Sequence, residues 1–180
     1  MKRYLEELVL KDLTAKMVVL TGPRQVGKTT LARQLMQLFG NAQYLNWDVL
    51  PDRGVLQRQS WNPRAKLLVM DEIRKMHDWK GWLKGVVDGR SPEQALLVTG
   101  SAHMETFRQG GDSLAGRYFA FRLHPFSVRE WCEQQHVDPA DALDHLLERG
   151  GFPEPCLASD SVQADRWRAP FRIAPAMEKT

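Results

Sequence analysis

Little in this chain points to a bilayer or to an oxidising compartment. Its 180 residues include two cysteines, Cys132 and Cys156, too few for a disulfide framework. No apolar run approaches the length that spans a membrane. The opening segment, Met1-Lys2-Arg3-Tyr4-Leu5-Glu6-Glu7, brings in acids early and lacks a signal-peptide core. A cytoplasmic setting with no membrane partner is the expectation. There is no internal repeat and no dense basic cluster. The net charge of +3 therefore leaves nucleic-acid contact open without arguing for it. Cys132 and His136 stand one helical turn apart without an accompanying C-x-x-C, which is a poor basis for zinc. His77, His103, His124 and His145 are scattered and have no serine–acid companions. The six tryptophans read as core or interface anchors.

What is present is concentrated in eight residues, Gly22-Pro23-Arg24-Gln25-Val26-Gly27-Lys28-Thr29, which fit G-x-x-x-x-G-K-T without departure. Two glycines let a backbone wrap an anion without a Cβ clash. The amide groups of such a loop form an anion nest, and the dipole of the following helix points at the same place. Lys28 supplies a full charge for the β- and γ-phosphates, and Thr29 a hydroxyl for Mg²⁺. The flanks agree. Met17-Val18-Val19-Leu20 reads as a buried strand, and Leu31, Leu35, Leu38 and Phe39 recur at helical spacing before Gly40.

Further along, the same alternation continues. A short amphipathic helix is expected over 4–13, with Tyr4, Leu5, Leu8 and Val9 on one side. Strands are expected at 43–46, 67–70, 95–99 and 118–123, and helices at about 52–59 and from Trp79 to Gly89. Asp48 and Asp52 flank Pro51 as a turn or cap. Strands separated by helices predict an α/β, P-loop NTPase three-layer fold with a mostly parallel five-stranded sheet, its ligand at the carboxyl ends of the strands. After residue 125, Ser127 and Glu130 match a capping box, and Asp138-Pro139 reads as a cap with proline at the first helical position. The predicted division is a nucleotide-binding core over 1–136 and a helical lid fragment with a poorly ordered tail over 137–180.

Leu67-Leu68-Val69-Met70-Asp71-Glu72 supplies the partner motif: an apolar strand that delivers two carboxylates at its end. Asp71 suits Mg²⁺, held directly or through water, because this hard ion prefers oxygen. Glu72 suits the orientation of a water for attack on the γ-phosphate. Thr99-Gly100-Ser101 ends the fourth strand. Ser101 is a candidate contact to the γ-phosphate or the attacking water, or else the cap of a helix over 102–109. Arg117 is a candidate for stabilising the transferring phosphoryl group, within the chain or in a neighbouring subunit, or else a surface arginine.

With these motifs in place the chain resembles the prokaryotic AAA-type ATPases whose P-loop domain is followed by a C-terminal domain of unknown function. The matching text runs from Gly22 through Thr29 to Thr30, and includes Asp71-Glu72-Ile73, Leu97 to Ser101, Leu114 to Arg117, Leu123 to Glu130 and Gly150 to Glu154. The resemblance covers about residues 1–168. It implies ATP binding and hydrolysis with Mg²⁺, with residues 22–30 holding the nucleotide, and makes Ser101 and Arg117 sensor and arginine-finger candidates. Arg74 departs from the glutamine usual in the family, and members continue well beyond 180 residues, so a truncated member is expected.

The leading expectation is a Mg²⁺-dependent ATP hydrolase that acts as a mechanical or regulatory switch. A nucleotide-binding interaction module with little turnover and a small-molecule kinase are the alternatives. The guanine-selective N-K-x-D string is absent, which leaves ATP by default. A homo-oligomer is open, and the sequence names no protein partner.

Overall fold

The computed structural model describes residues 1–101 and 114–171. Along the chain come α1 (Glu6–Asp12), β1 (Met17–Thr21), α2 (Lys28–Phe39), β2 (Ala42–Asn46), α3 (Leu50–Arg58), β3 (Leu67–Asp71), a 3₁₀ turn (Ile73–Lys75), α4 (Trp79–Gly89), β4 (Ala95–Thr99) and β5 (Tyr118–Arg122). Then follow α5 (Val128–Gln135), α6 (Pro139–Arg149), α7 (Pro153–Cys156) and α8 (Ser161–Arg168). The helix expected over 102–109 and the tail from 172 onward lie outside the described residues.

The five strands lie in the order β2-β3-β4-β1-β5. Each pairing is parallel, where the sequence predicted a mostly parallel sheet. The three inner strands are buried at every position, as strands covered on both faces must be. Alternation divides their side chains between two layers. Met17, Val19, Leu45, Leu68, Met70, Leu96 and Val98 form one core with Leu56 of α3 and with Leu83 and Val86 of α4. On the opposite face α1 touches β1, while α2 touches β2, β3 and β4. There Leu31, Ala32 and Leu35 are fully buried.

The helical stripes are narrower than expected. Leu5 and Val9 are buried, but Tyr4 and Leu8, each one residue back and so about 100° around the helix, are 44% and 52% exposed. Leu38 stands 59% exposed in the last turn of α2, beyond the buried stripe of Leu31, Ala32 and Leu35. Asp48 and Asp52 do not cap α3, which has Pro51 in its first turn. Asp52 instead accepts from the backbone N–H of Asn46, and Asp48 pairs with Lys75.

Two compact units divide at Leu123 and His124, ahead of α5 rather than near residue 136. The reason is local: α5 packs on α6. In this C-terminal unit the Ser127–Glu130 capping box opens α5, and Asp138 accepts from the N–H groups of Ala140 and Asp141 at the start of α6. Phe126, Trp131, Ala142 and Cys156 form its core. Trp131 stacks on His145 at 4.2 Å, and the His145 ring meets the Cys156 carbonyl at 2.9 Å. Burial pushes the Cys156 thiol up to about 11, so it remains protonated and unreactive near neutral pH.

Leu83 fixes α4 to the sheet and is fully buried. Leu83→Ala is expected to cost about 2–5 kcal/mol by the lost transfer energy and the cavity left behind. Urea unfolding checks this, and a loss below about 1 kcal/mol would mean that α4 does not anchor the core.

Candidate nucleotide site

β1 ends at Thr21, and the chain turns at once into the glycine-bearing loop. Gly22 has φ +152°, and a Cβ there would stand 2.5 Å from the Leu123 carbonyl oxygen, so no other residue fits without displacing backbone. Gly27, at φ +97°, sets the start of α2. No side chain caps that helix and no acid sits in its first turn. Its leading amides and the positive end of its dipole therefore have no internal counter-charge, the condition that suits phosphate. Within the loop Val26 is buried, whereas Arg24 and Gln25 are exposed and Pro23 is half-buried.

Lys28 is 9% exposed. Its Nζ turns back and donates to the carbonyls of Gly22 at 3.0 Å and Pro23 at 2.6 Å. Burial lowers its pKa first, and Arg24 adds to this, while Asp71 and Glu72 oppose it. The ammonium thus lies in the field of both strand-end acids.

The end of β3 is built by its neighbours. Asp71 is 7% exposed. Its Oδ1 accepts from Thr99 Oγ1 at 2.6 Å, since the register sets Thr99 directly beside it on β4. Its Oδ2 accepts from the Tyr44 hydroxyl of β2. Thr29 follows Lys28 in the first turn of α2 and is half-buried. Burial first, then Asp71, pushes the Tyr44 phenol above its ordinary value, which keeps it a neutral donor. Glu72 follows in the left-handed region at φ 54°, with its N–H donating to the Thr99 carbonyl at 3.0 Å. Its carboxylate meets Arg74 Nε at 3.4 Å. Ser101, just past β4, is buried at the same edge of the sheet.

Arg117 stands apart. Tyr118 pairs with Met17 and Arg122 with Thr21, so Arg117 lies where β1 begins and the loop lies where β1 ends. That span is about 13 Å of strand. The Arg117 guanidinium makes two hydrogen bonds to Asp88, at 2.8 and 3.2 Å. The structure thus brings residues 22–30, Asp71, Glu72 and Ser101 to one edge and leaves Arg117 at the other, which removes a role for it within its own site.

Three contributors were not found by sequence reasoning. Tyr44 and Thr99 carry no motif, and their relation to Asp71 appears only once strand order and register are known. Arg3, 5% exposed, donates from Nη1 to the Val26 carbonyl at 2.9 Å and so braces the loop from the N-terminal segment. No local pattern marks it.

An all-parallel sheet with this loop after β1 and a carboxylate at the end of β3 defines a P-loop NTPase domain of the AAA type. The AAA domain family model matches residues 14–132, and the chain belongs to that family. It is 30% identical over 158 residues to the uncharacterized protein Rv2008c of Mycobacterium tuberculosis, covering 86% of this chain and 34% of that protein. The chain thus spans about a third of that relative's length. Among solved structures, the Walker-type ATPase of Pyrococcus abyssi superposes with a TM-score of 0.60 at 14% identity, over 94% of this chain and 71% of that one. The S. cerevisiae Hsp104–ADP complex gives 0.58 at 13% identity, over 89% and 30%. Identities this low show the shared fold. Among the described residues no helix is long and apolar enough to cross a membrane.

The Lys28 shift has a consequence for stability. A base whose folded pKa lies below its ordinary 10.5 penalises the fold while charged, and the penalty fades as pH rises toward 10.5. The stability of the wild type relative to Lys28→Met should therefore move in favour of the wild type as pH climbs through the alkaline range. Urea unfolding of both at a series of pH values measures this, and a pH-independent gap would contradict it.

Proposed function

We propose that this domain binds ATP with Mg²⁺ and hydrolyses it, as a mechanical or regulatory switch. The observation that carries this reading is the convergence of Lys28, Thr29, Asp71 and Glu72 at one sheet edge, opposite an uncapped helix start. The donor set fits a hard divalent ion: one hydroxyl and one carboxylate, both oxygen. ADP in the structurally similar Hsp104 complex favours adenine. When bound, Mg²⁺ would offset the charge of the β- and γ-phosphates.

The chain's own residues supply the rest. Lys28 exchanges its two carbonyl partners for phosphate oxygens. The amides of Gly27 to Thr30 face the same anion. Glu72, once free of Arg74, orients a water and takes its proton as the water oxygen bonds to the γ-phosphorus and the bond from that phosphorus to the β,γ-bridging oxygen breaks, releasing ADP and inorganic phosphate. Ser101, buried just past β4, is the candidate contact to that water or the γ-phosphate. Arg117 at the far edge supports a role in a neighbouring copy, so the full site belongs to a homo-oligomer.

A second reading, nucleotide binding with little turnover, is favoured by the Glu72–Arg74 pairing and by the distance of Arg117 from its own loop. Protein concentration separates the two. Turnover that rises with concentration and falls about 10³–10⁵-fold in Arg117→Ala supports hydrolysis by neighbouring copies. Tight binding without turnover at any concentration supports the module.

Phosphate release measured with malachite green is expected to collapse in Glu72→Gln while nucleotide binding persists. Equal release by both proteins would remove the assigned role. Lys28→Ala should weaken nucleotide affinity by about 1.5–3 kcal/mol, the range for charge-assisted hydrogen bonds, or roughly 10–150-fold. Calorimetric titration reads this directly, and unchanged affinity would defeat it.

A further inference from the structure

Tyr44 is a large polar side chain on an edge strand, yet its hydroxyl is directed into the sheet's most charged corner rather than to solvent. Register explains how it gets there. Tyr44 pairs with Val69 and Asn46 with Asp71, so Tyr44 and Asp71 project from the same face, one step apart along adjacent strands. The Trp47 N–H donates to the Asp71 carbonyl at 3.0 Å and fixes that step beyond the ladder itself. The phenol then donates to Asp71 Oδ2 while Thr99 donates to Oδ1.

We propose that Tyr44 is the positioning residue for the divalent cation: its hydroxyl holds one oxygen of the Asp71 carboxylate while Thr99 holds the other, and so sets the direction in which that carboxylate meets the ion. The proposal rests on the Mg²⁺-nucleotide reading above. The physical argument is one of rotation and lone pairs. An unclamped carboxylate turns about its last torsion and presents its oxygens in many directions. Two hydroxyl donors, one on each oxygen, stop that rotation, and because a carboxylate accepts at about four sites they leave capacity on both oxygens for a metal or its water. A neutral phenol does this without adding a charge that competes with the ion. Thr99 alone clamps one oxygen and leaves the other free to swing. Tyr44 supplies the second point. Partners that orient metal ligands typically matter by 10–100-fold in metal affinity.

The test uses the full chain and a fluorescent ATP analogue, bound first in EDTA and then across a Mg²⁺ titration. Tyr44→Phe keeps the ring and loses only the hydroxyl. The expected result is unchanged affinity in EDTA and a rise of about tenfold in the Mg²⁺ concentration for half-maximal effect. A Mg²⁺ curve that overlays the wild type overturns the proposal. So does an equal loss with and without Mg²⁺, because it assigns Tyr44 to propping the loop alone. A wild type that shows no Mg²⁺ effect overturns the underlying metal reading instead, and is recognised before any variant is made. Circular dichroism verifies that Tyr44→Phe is folded. Thr99→Val, which strips the donor from the other Asp71 oxygen, gives an independent variant whose Mg²⁺ curve should move in the same direction.

Discussion

A carboxylate at the end of an apolar strand, with most of its surface removed from water, is costly unless its lone pairs are met. Asp71 is in that position, and much of the site is arranged around meeting its needs. Thr99 and Tyr44 come from the two strands on either side, so the carboxylate is held by both neighbours of β3 at once. The ammonium of Lys28 compensates its charge through space from the loop. Removing any one of these leaves a buried acid short of a partner, and the nucleotide loop and the sheet edge are therefore energetically one object.

Strand order explains why the arrangement needs so many hands. The loop follows β1, but β1 is flanked by β4 and β5, and β3 lies one strand further out. Asp71 and the glycine-bearing loop are thus not on adjacent strands. β4 fills the interval, and its last residue, Thr99, is the link across it, accepting the Glu72 N–H at its carbonyl and donating to Asp71 from its hydroxyl. A single threonine thereby orients both acids of the pair. The same topology sends the start of β5, and Arg117 with it, to the edge opposite the loop, where its guanidinium pairs with Asp88.

The parts legible from sequence were those with a short physical range. The loop Gly22 to Thr29 declares itself because the chemistry lies in consecutive residues, and α2 begins and ends where its glycines require. The all-apolar strands and the capping box at Ser127 are equally local signals. What stayed hidden depends on register. Tyr44 is just a strand tyrosine until β2 is set beside β3, and Thr99 looks subordinate to Ser101 until its hydroxyl is found on Asp71. Arg3 is the extreme case, since twenty-three residues separate it from the Val26 carbonyl that it supports. The division between units was placed too late for the same reason. The text changes after residue 125, and the packing boundary falls close to it, between Leu123 and His124.

The loop is held in shape by cations of its own chain. Lys28 satisfies two carbonyls of the loop that it is meant to serve, and Arg3 satisfies a third. These contacts hold the backbone in a wrapped shape without an anion, which lowers the entropy lost on binding. They also mean that a triphosphate must displace Lys28 from Gly22 and Pro23 before it gains the ammonium, so the affinity is the difference between two sets of charge-assisted bonds. Arg3 has no such conflict, because its bond to Val26 keeps its guanidinium on the carbonyl side of the loop. The loop is thus braced by two nearly buried cations, Arg3 at Val26 and Lys28 at Gly22 and Pro23, and the strand-end acids Asp71 and Glu72 act on the second.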